Sequence, residues 1–261
     1  DEDTEYFVKW KALPYDFCTW ESASLISELA QTEIDRYLDR TSKTPVTNQK
    51  EASLATRSDY KPFRTQPEYI KGGELREFQI HGLNFLAHHW CKGNNVILAD
   101  EMGLGKTVQT VSFIDWLKHE RGQQGPFIVV VPLSTMPAWA DTFDNWTPDI
   151  NYVVYNGNEE ARKIIREHEL LVDPRNYKKV KFNVLLTTYE YVLADAGFLS
   201  QLKWQFMAVD EAHRLKNRDS QLYAKLMEFG APSRLLITGT PMQNTLSELS
   251  ALPDAWQGQS R

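Results

Sequence analysis

The sequence predicts an α/β protein, a mostly parallel sheet wrapped by helices and preceded by a small unit of β structure plus one helix. Three observations predict it. From residue 69 onward, six short apolar runs alternate with segments of helical periodicity. Nearly all of these runs are continuously apolar, as strands covered on both faces are. Two of them end in chemistry: the first leads into a glycine-rich loop closed by Lys106-Thr107, and the fifth into Asp210-Glu211. Carboxyl ends of strands are where ligands sit in open α/β sheets.

The elements follow in order. Residues 6–20, YFVKWKALPYDFCTW, alternate apolar and basic positions and turn at Pro14-Tyr15-Asp16, as a short antiparallel strand pair would. A helix is predicted from Ser24, with Leu25, Leu29, Ile34 and Leu38 at roughly helical spacing. Residues 41–68 hold three prolines among polar and charged residues with no sustained period, and read as a linker. The predicted strands are 96–99, 127–131, 152–155, 183–186, 205–209 and 234–238. Between them Val108, Val111, Ile114 and Leu117 step along one helix face. Trp139, Phe143 and Trp146 do so on another, and Leu222, Leu226 and Phe229 on a third that Gly230 closes. Right-handed strand-helix-strand crossovers make such a sheet mostly parallel.

Composition removes whole classes. Hydrophobic residues are 42% and charged residues 25% of the 261, which excludes wholesale disorder or a fibre. The longest apolar run, Phe127 to Val131, stops at Pro132, far short of the roughly 20 residues a membrane span needs. The acidic start, Asp1, Glu2, Asp3 and Glu5, is unlike a signal peptide. Cys18 and Cys91 match no metal or redox spacing, so a reducing intracellular compartment is expected. The net charge of −6 lacks the basic excess of most nucleic-acid binders. Residues 1–68 carry 13 acidic and 9 basic side chains and residues 69–261 carry 22 and 20, so any nucleic-acid surface is a local patch.

The strongest chemical signal is Asp100-Glu101-Met102-Gly103-Leu104-Gly105-Lys106-Thr107, directly after one predicted strand and before a helix. It reads as a phosphate-binding loop. Backbone N–H groups and the helix N-terminus surround a polyphosphate, Lys106 reaches the terminal phosphates, and the Thr107 hydroxyl ligates Mg²⁺. Asp100 stands where the strict pattern has glycine. The second signal is Asp210-Glu211-Ala212-His213 at another strand end, where Asp210 would hold Mg²⁺ and Glu211 would orient and deprotonate the attacking water. The third is the strand ending in Thr238-Gly239-Thr240 and followed by Gln243, whose small hydroxylated residues can sense the carboxylates and transmit their state.

Taken together, DEMGLGKT, DEAHRLKN (210–217) and LLITGTPMQN (235–244) resemble motifs I, II and III of the first RecA-like lobe of superfamily-two helicase-like ATPases, specifically the Swi/Snf-related chromatin remodellers. Departure from glycine at position 100 is normal for that group. Leu75-Arg76-Glu77-Phe78-Gln79 is similar to its adenine-side motif, which implies Gln79 against the base edge. Val131-Pro132-Leu133-Ser134 and Leu186-Thr187-Thr188-Tyr189-Glu190 resemble its Ia and Ib segments, which implies contacts to a DNA strand from Pro132, Ser134, Thr187, Thr188 and Tyr189. Arg214, Lys216 and Arg218 form a basic patch for which coupling or structural pairing is as good a reading as DNA contact. The lysines at 178, 179 and 181 read first as a solvated loop.

Tyr6-Phe7-Val8-Lys9-Trp10-Lys11 with Thr19-Trp20-Glu21 is similar to the latter half of a chromodomain, and PLSTMPAW (132–139) resembles the chromodomain-helicase-DNA-binding (CHD) remodellers. The resemblance implies a partial chromodomain (1–40), a linker (41–68), an ATP-binding RecA-like P-loop lobe (69–252) and a tail (253–261). Its implied cofactors are ATP and Mg²⁺. Its implied partners are double-stranded DNA, nucleosomes, histone tails and a second ATPase lobe, in the nucleus. Trp10 reads as packing rather than as a wall of a methyl-lysine cage, since Leu13 stands where a second aromatic often lies. Trp20 reads as core. In this family the second chromodomain often packs on its own ATPase, so the N-terminal acids are expected to cover a DNA surface. PDAWQGQSR (253–261) departs from the family's continuation and reads as a truncated, alternatively spliced or mispredicted end. A nucleotide-binding half-motor is expected. The rival reading is a non-hydrolysing chromatin-binding module that competes with the full remodeller; an unwinding helicase fits the chromodomain and PLSTMPAW less well.

Overall fold

A computed structural model describes residues 4–46, 57–99, 105–215 and 221–239. Strands β1 (Glu5–Val8) and β2 (Thr19–Ser22) pair antiparallel, joined through one 3₁₀ turn at Tyr15–Phe17. Helix α1 (Ala23–Ser42) follows at once. It starts one residue before the expected Ser24, and its cap is Ser22, whose hydroxyl accepts from the Leu25 N–H at 3.3 Å. The expected apolar face is corrected: Ile26 and Ile34 are buried, while Leu25, Leu29 and Leu38 are 45%, 67% and 50% exposed. Ala30 leaves helical geometry (φ −152°, ψ 46°), and this kink breaks the register on which a single stripe depends. Trp20, expected in the core, is 57% exposed, because a two-stranded sheet has one face too few to enclose it.

The main sheet has all six predicted strands: β3 (Val96–Ala99), β4 (Phe127–Val130), β5 (Tyr152–Tyr155), β6 (Val184–Thr187), β7 (Phe206–Val209) and β8 (Arg234–Thr238). Their order is β3-β8-β7-β4-β6-β5, and every pair is parallel. Alternation divides the core between the two faces. Ile128, Val130, Leu185, Met207, Val209 and Leu236 point to one side, and Phe127, Val129, Val184, Leu186, Phe206 and Ala208 to the other. Helices α2 (Glu77–Cys91), α3 (Lys106–Arg121) and α4 (Met136–Trp146) cover the second side. The first side is covered by α5 (Glu159–Ile165), which runs into a π-helical turn at Arg166–Leu170, with α6 (Tyr189–Ala194), α7 (Ala196–Leu199) and α8 (Gln221–Glu228). Gly230 after α8 adopts φ 63° as a helix end requires. Helix α3 departs from its predicted single apolar face: Thr110, Ser112 and Asp115 are as buried as Val111 and Ile114, since the helix lies under the sheet with α2 and α4 on its flanks.

The N-terminal unit sits on the main body. Tyr15 packs against the core of the first side, and the Asn158 amide donates to Asp16 Oδ2 at 3.3 Å. The Phe7 ring lies 4.9 Å from Trp20 and 4.5 Å from His168, centroid to centroid. At the far end of α1, Lys43 reaches Asp149 at 3.1 Å and Lys118 donates to the Lys43 carbonyl at 3.0 Å. Residues 57–68 form no helix or strand and lie along α2: Arg57 covers the Trp90 ring at 4.9 Å, and Asn84 exchanges two hydrogen bonds with the Phe63 backbone. Among the described residues no helix is long and apolar enough to cross a membrane.

Candidate active site

The strands β3, β8 and β7 are neighbours, so their carboxyl ends bring three distant segments together. After β3 the described chain resumes at Gly105, the cap of α3, with φ 93°. A side chain there would begin 2.4 Å from Gln79 Nε2. Glycine is thus required both by the backbone and by the amide packed on it. Gln79 is in turn held by its own helix start, its Oε1 accepting from the Arg76 N–H at 2.8 Å. The structure therefore brings Gln79 from α2 onto the loop's last residue.

Lys106, in the first turn of α3, is buried, and its ammonium donates to the Thr238 carbonyl at the end of β8 at 2.6 Å. Thr107 is half-buried beside it. One strand further on, Asp210 ends β7 with each of its polar atoms engaged. Its N–H donates to Val130 O at 2.8 Å, its Oδ1 accepts from the Glu211 N–H at 2.9 Å, and its Oδ2 accepts from the Trp139 indole N–H at 3.1 Å. Its carbonyl accepts from the Tyr189 hydroxyl. Burial pushes the Asp210 carboxyl above its ordinary range, while the Trp139 and Glu211 donors and the Lys106 charge pull it back.

Glu211 stands at φ 52°, a left-handed conformation that non-glycine residues rarely adopt. This turn ends β7 sharply and directs the carboxylate towards β8, where a Cβ on Gly239 would lie 3.7 Å from Glu211 Oε1. His213 Nδ1 is 3.2 Å from the other oxygen, Oε2. Lys106, Thr238, Gly239, Asp210 and Glu211 thus share one edge of the sheet. A buried ammonium, a helix N-terminus, a hydroxyl and a carboxylate are the donor set that a Mg²⁺-bound polyphosphate takes, hard oxygens for the ion and positive ends for the phosphates. Asp100, Glu101, Met102, Gly103, Leu104, Lys216, Thr240 and Gln243 lie outside the described residues, as do 253–261.

The segments expected to meet DNA are arranged unevenly. Ser134 is exposed, while Pro132, Thr187, Thr188 and Tyr189 are buried. The Thr187 hydroxyl faces inward and donates to the Tyr155 carbonyl at 3.0 Å, so it offers nothing to a strand outside. Arg214 is exposed and stacks its guanidinium 5.1 Å over the Tyr189 ring. Lys178 and Lys179 are exposed and Lys181 half-buried. Trp10 donates its indole N–H to Thr19 Oγ1 at 2.8 Å, and Leu13 is exposed. Sequence reasoning assigned Trp139 to a helix face and missed its bond to Asp210. A tryptophan in an otherwise apolar stripe carries a donor that needs a partner, which is the available signal.

A family model described as SNF2-related domain matches residues 78–255, and one described as chromo (chromatin organisation modifier) domain matches residues 1–40. The chain is 50% identical over 251 residues to chromodomain-helicase-DNA-binding protein 1 of Gallus gallus, covering 95% of this chain and 14% of that protein. It is 46% identical over 250 residues to protein CHROMATIN REMODELING 5 of Arabidopsis thaliana, covering 95% of this chain and 14% of that one. Among solved structures it resembles a Sulfolobus solfataricus SWI2/SNF2 ATPase core in complex with dsDNA, with TM-score 0.60 and 27% identity over 72% of this chain and 37% of that chain.

Proposed function

The chain belongs to the CHD-type chromatin remodellers, with a chromodomain joined to an SNF2-related ATPase domain, and on that premise we propose that residues 69–252 are the ATP-binding lobe one of an ATP-dependent DNA translocase that remodels nucleosomes. Residues 1–40 are then its partial chromodomain, 41–68 the linker and 253–261 an atypical tail. Its partners are double-stranded DNA, nucleosomes, histone tails and a second ATPase lobe, and its compartment is the nucleus.

One observation carries this reading: Lys106, at the start of α3, bonds the end of β8 at Thr238, and the Asp210-Glu211 pair follows the neighbouring strand β7. In this reading Gln79 meets the adenine edge, and the loop from Asp100 to Gly105 wraps the phosphates with its N–H groups. Lys106 exchanges the Thr238 carbonyl for the terminal phosphates, which leaves that carbonyl to report whether nucleotide is held. Thr107 and Asp210 supply oxygens to Mg²⁺, and bound Mg²⁺ supplies charge neutralisation on the polyphosphate. Glu211 accepts the water's proton at a carboxylate oxygen, with His213 against the other oxygen limiting its rotation. Thr238, Gly239, Thr240 and Gln243 couple the site to the rest of the motor, which the proximity of Gly239 to Glu211 supports. Ser134 and Arg214 are the exposed candidates for DNA phosphates. RecA-like motors complete the γ-phosphate's surroundings with arginines from a second lobe, so these 261 residues alone are expected to bind nucleotide without turnover.

The test is a nucleotide titration of the 261-residue chain alongside ATP turnover with and without duplex DNA. Lys106→Ala is expected to weaken binding on the order of a hundredfold, as loss of a charged phosphate contact should. Glu211→Gln is expected to keep binding and, in a two-lobed enzyme, to stop turnover; normal hydrolysis by it would sink the assigned role. DNA-stimulated turnover by the 261 residues alone would overturn the two-lobe requirement.

A further inference from the structure

Asp210 is held from two directions that the sequence keeps far apart. Trp139, 71 residues earlier and almost fully buried in the first turns of α4, donates its indole N–H to Oδ2. Tyr189, the first residue of α6 and 21 residues earlier, donates its hydroxyl to the Asp210 carbonyl. Each donor also stands directly behind a surface segment. The exposed pair Leu133-Ser134 belongs to a 3₁₀ turn, Leu133–Thr135, that is followed at once by α4, which carries Trp139 near its start. Tyr189 carries the exposed Arg214 on its ring at 5.1 Å, so a charge bound there bears directly on the ring whose hydroxyl holds Asp210.

We propose that Trp139 and Tyr189 are positioning residues for Asp210, clamping its carboxylate and its carbonyl, and that through them displacement of the 133–135 turn or of Arg214 alters how Asp210 meets a bound divalent cation. This rests on the nucleotide-site reading above. Carboxylate oxygens that accept two N–H bonds are oriented before any ion arrives, and that orientation is what a small octahedral cation demands. Loss of the indole donor frees the carboxylate to rotate, whereas the aromatic packing of α4 survives in Trp139→Phe. In Tyr189→Phe the ring under Arg214 remains and only the hydroxyl goes.

The experiment is a titration of the 261-residue chain and its variants with a fluorescent ADP analogue, with and without Mg²⁺, on chains shown by circular dichroism to be folded. The readout is the ratio of the two affinities, which general loosening of the fold would not move because it weakens both. The wild-type chain is expected to bind more tightly with Mg²⁺, and Trp139→Phe to lose about tenfold of that gain, the size expected for one hydrogen bond to a charged group. Tyr189→Phe is expected to lose part of it. A short duplex DNA added to the same titrations is expected to shift the Mg²⁺-dependent affinity of the wild-type chain and to shift that of both variants less. Unchanged Mg²⁺ gain in folded Trp139→Phe and Tyr189→Phe overturns the positioning role. A wild-type affinity indifferent to duplex, or shifted equally in the variants, overturns the link to the surface. A wild-type chain whose titration matches the Lys106→Ala blank overturns the site reading, and this inference with it.

Discussion

Lys118 is a buried cation that ties three separate segments of the main body together. The residue is 8% exposed, and its ammonium donates to three oxygens on three segments: Lys43 O at 3.0 Å, Asp149 O at 2.7 Å and Asn183 Oδ1 at 3.2 Å. Burial lowers its pKa from the usual lysine value, the mark of a charge placed where only its acceptors tolerate it. Lys118→Met keeps the aliphatic stem and strands those oxygens, so the urea midpoint should fall by an amount worth about 2–4 kcal/mol with unchanged m. A loss below about 0.5 kcal/mol would contradict the bonding described. None of this was legible: Lys118 sits in a charged stretch, Lys118-His119-Glu120-Arg121, that reads as a solvated helix end. By contrast Lys106, Asp210 and Glu211 were legible, because each belongs to a short contiguous motif at the end of an apolar run. Trp20 was misread for the opposite reason, since its residue type argues burial while its two-stranded sheet supplies no second layer.

Among the elements, the strands were read closely because a strand buried on both faces writes itself as an unbroken apolar run. Helix α1 was not, since the kink at Ala30 is invisible in composition, and neither were α5 and α6, whose short apolar stripes fall below one clear period. Helix α3 carries a device its periodicity conceals. His119 Nε2 lies 3.2 Å from Asp115 Oδ1 and 3.1 Å from Asp149 Oδ2, and its ring is stacked 4.5 Å from Tyr69. The Asp115 bond, opposed by burial, raises the His119 pKa. A raised folded value means the proton's contribution is fully present below the ordinary histidine value of 6.5 and is lost as pH climbs through the raised value. Burial raises Asp115 too, which acts in the same sense, whereas lowered Lys118 acts only towards alkaline pH. The melting temperature should therefore fall as pH rises above the ordinary histidine value of 6.5, and His119→Gln should flatten that slope. An equal slope in the variant would assign the effect elsewhere.

At the scale of the whole molecule, the N-terminal unit brings charge to the body it rests on. Residues 1–40 hold 10 acidic and 4 basic side chains, and they dock through Tyr15 and through Phe7 against His168, with Lys43 just after them reaching Asp149. An acidic unit held there should oppose a polyanion. Removing residues 1–40 is expected to raise affinity for duplex DNA, with a steeper dependence of log K on log salt. Equal affinity with and without them would end the idea that these acids shield a DNA surface. The sequence by itself determined the sheet and its strands and marked the residues proposed for nucleotide chemistry, because apolar runs and contiguous motifs are local and need no partner to be recognised. Only the tertiary structure decided that Gln79 packs on Gly105, that Trp139 and Tyr189 clamp Asp210, and that His168 closes the aromatic face of the N-terminal sheet. Those contacts join residues tens to more than a hundred positions apart, and no local pattern records which distant side chain arrives.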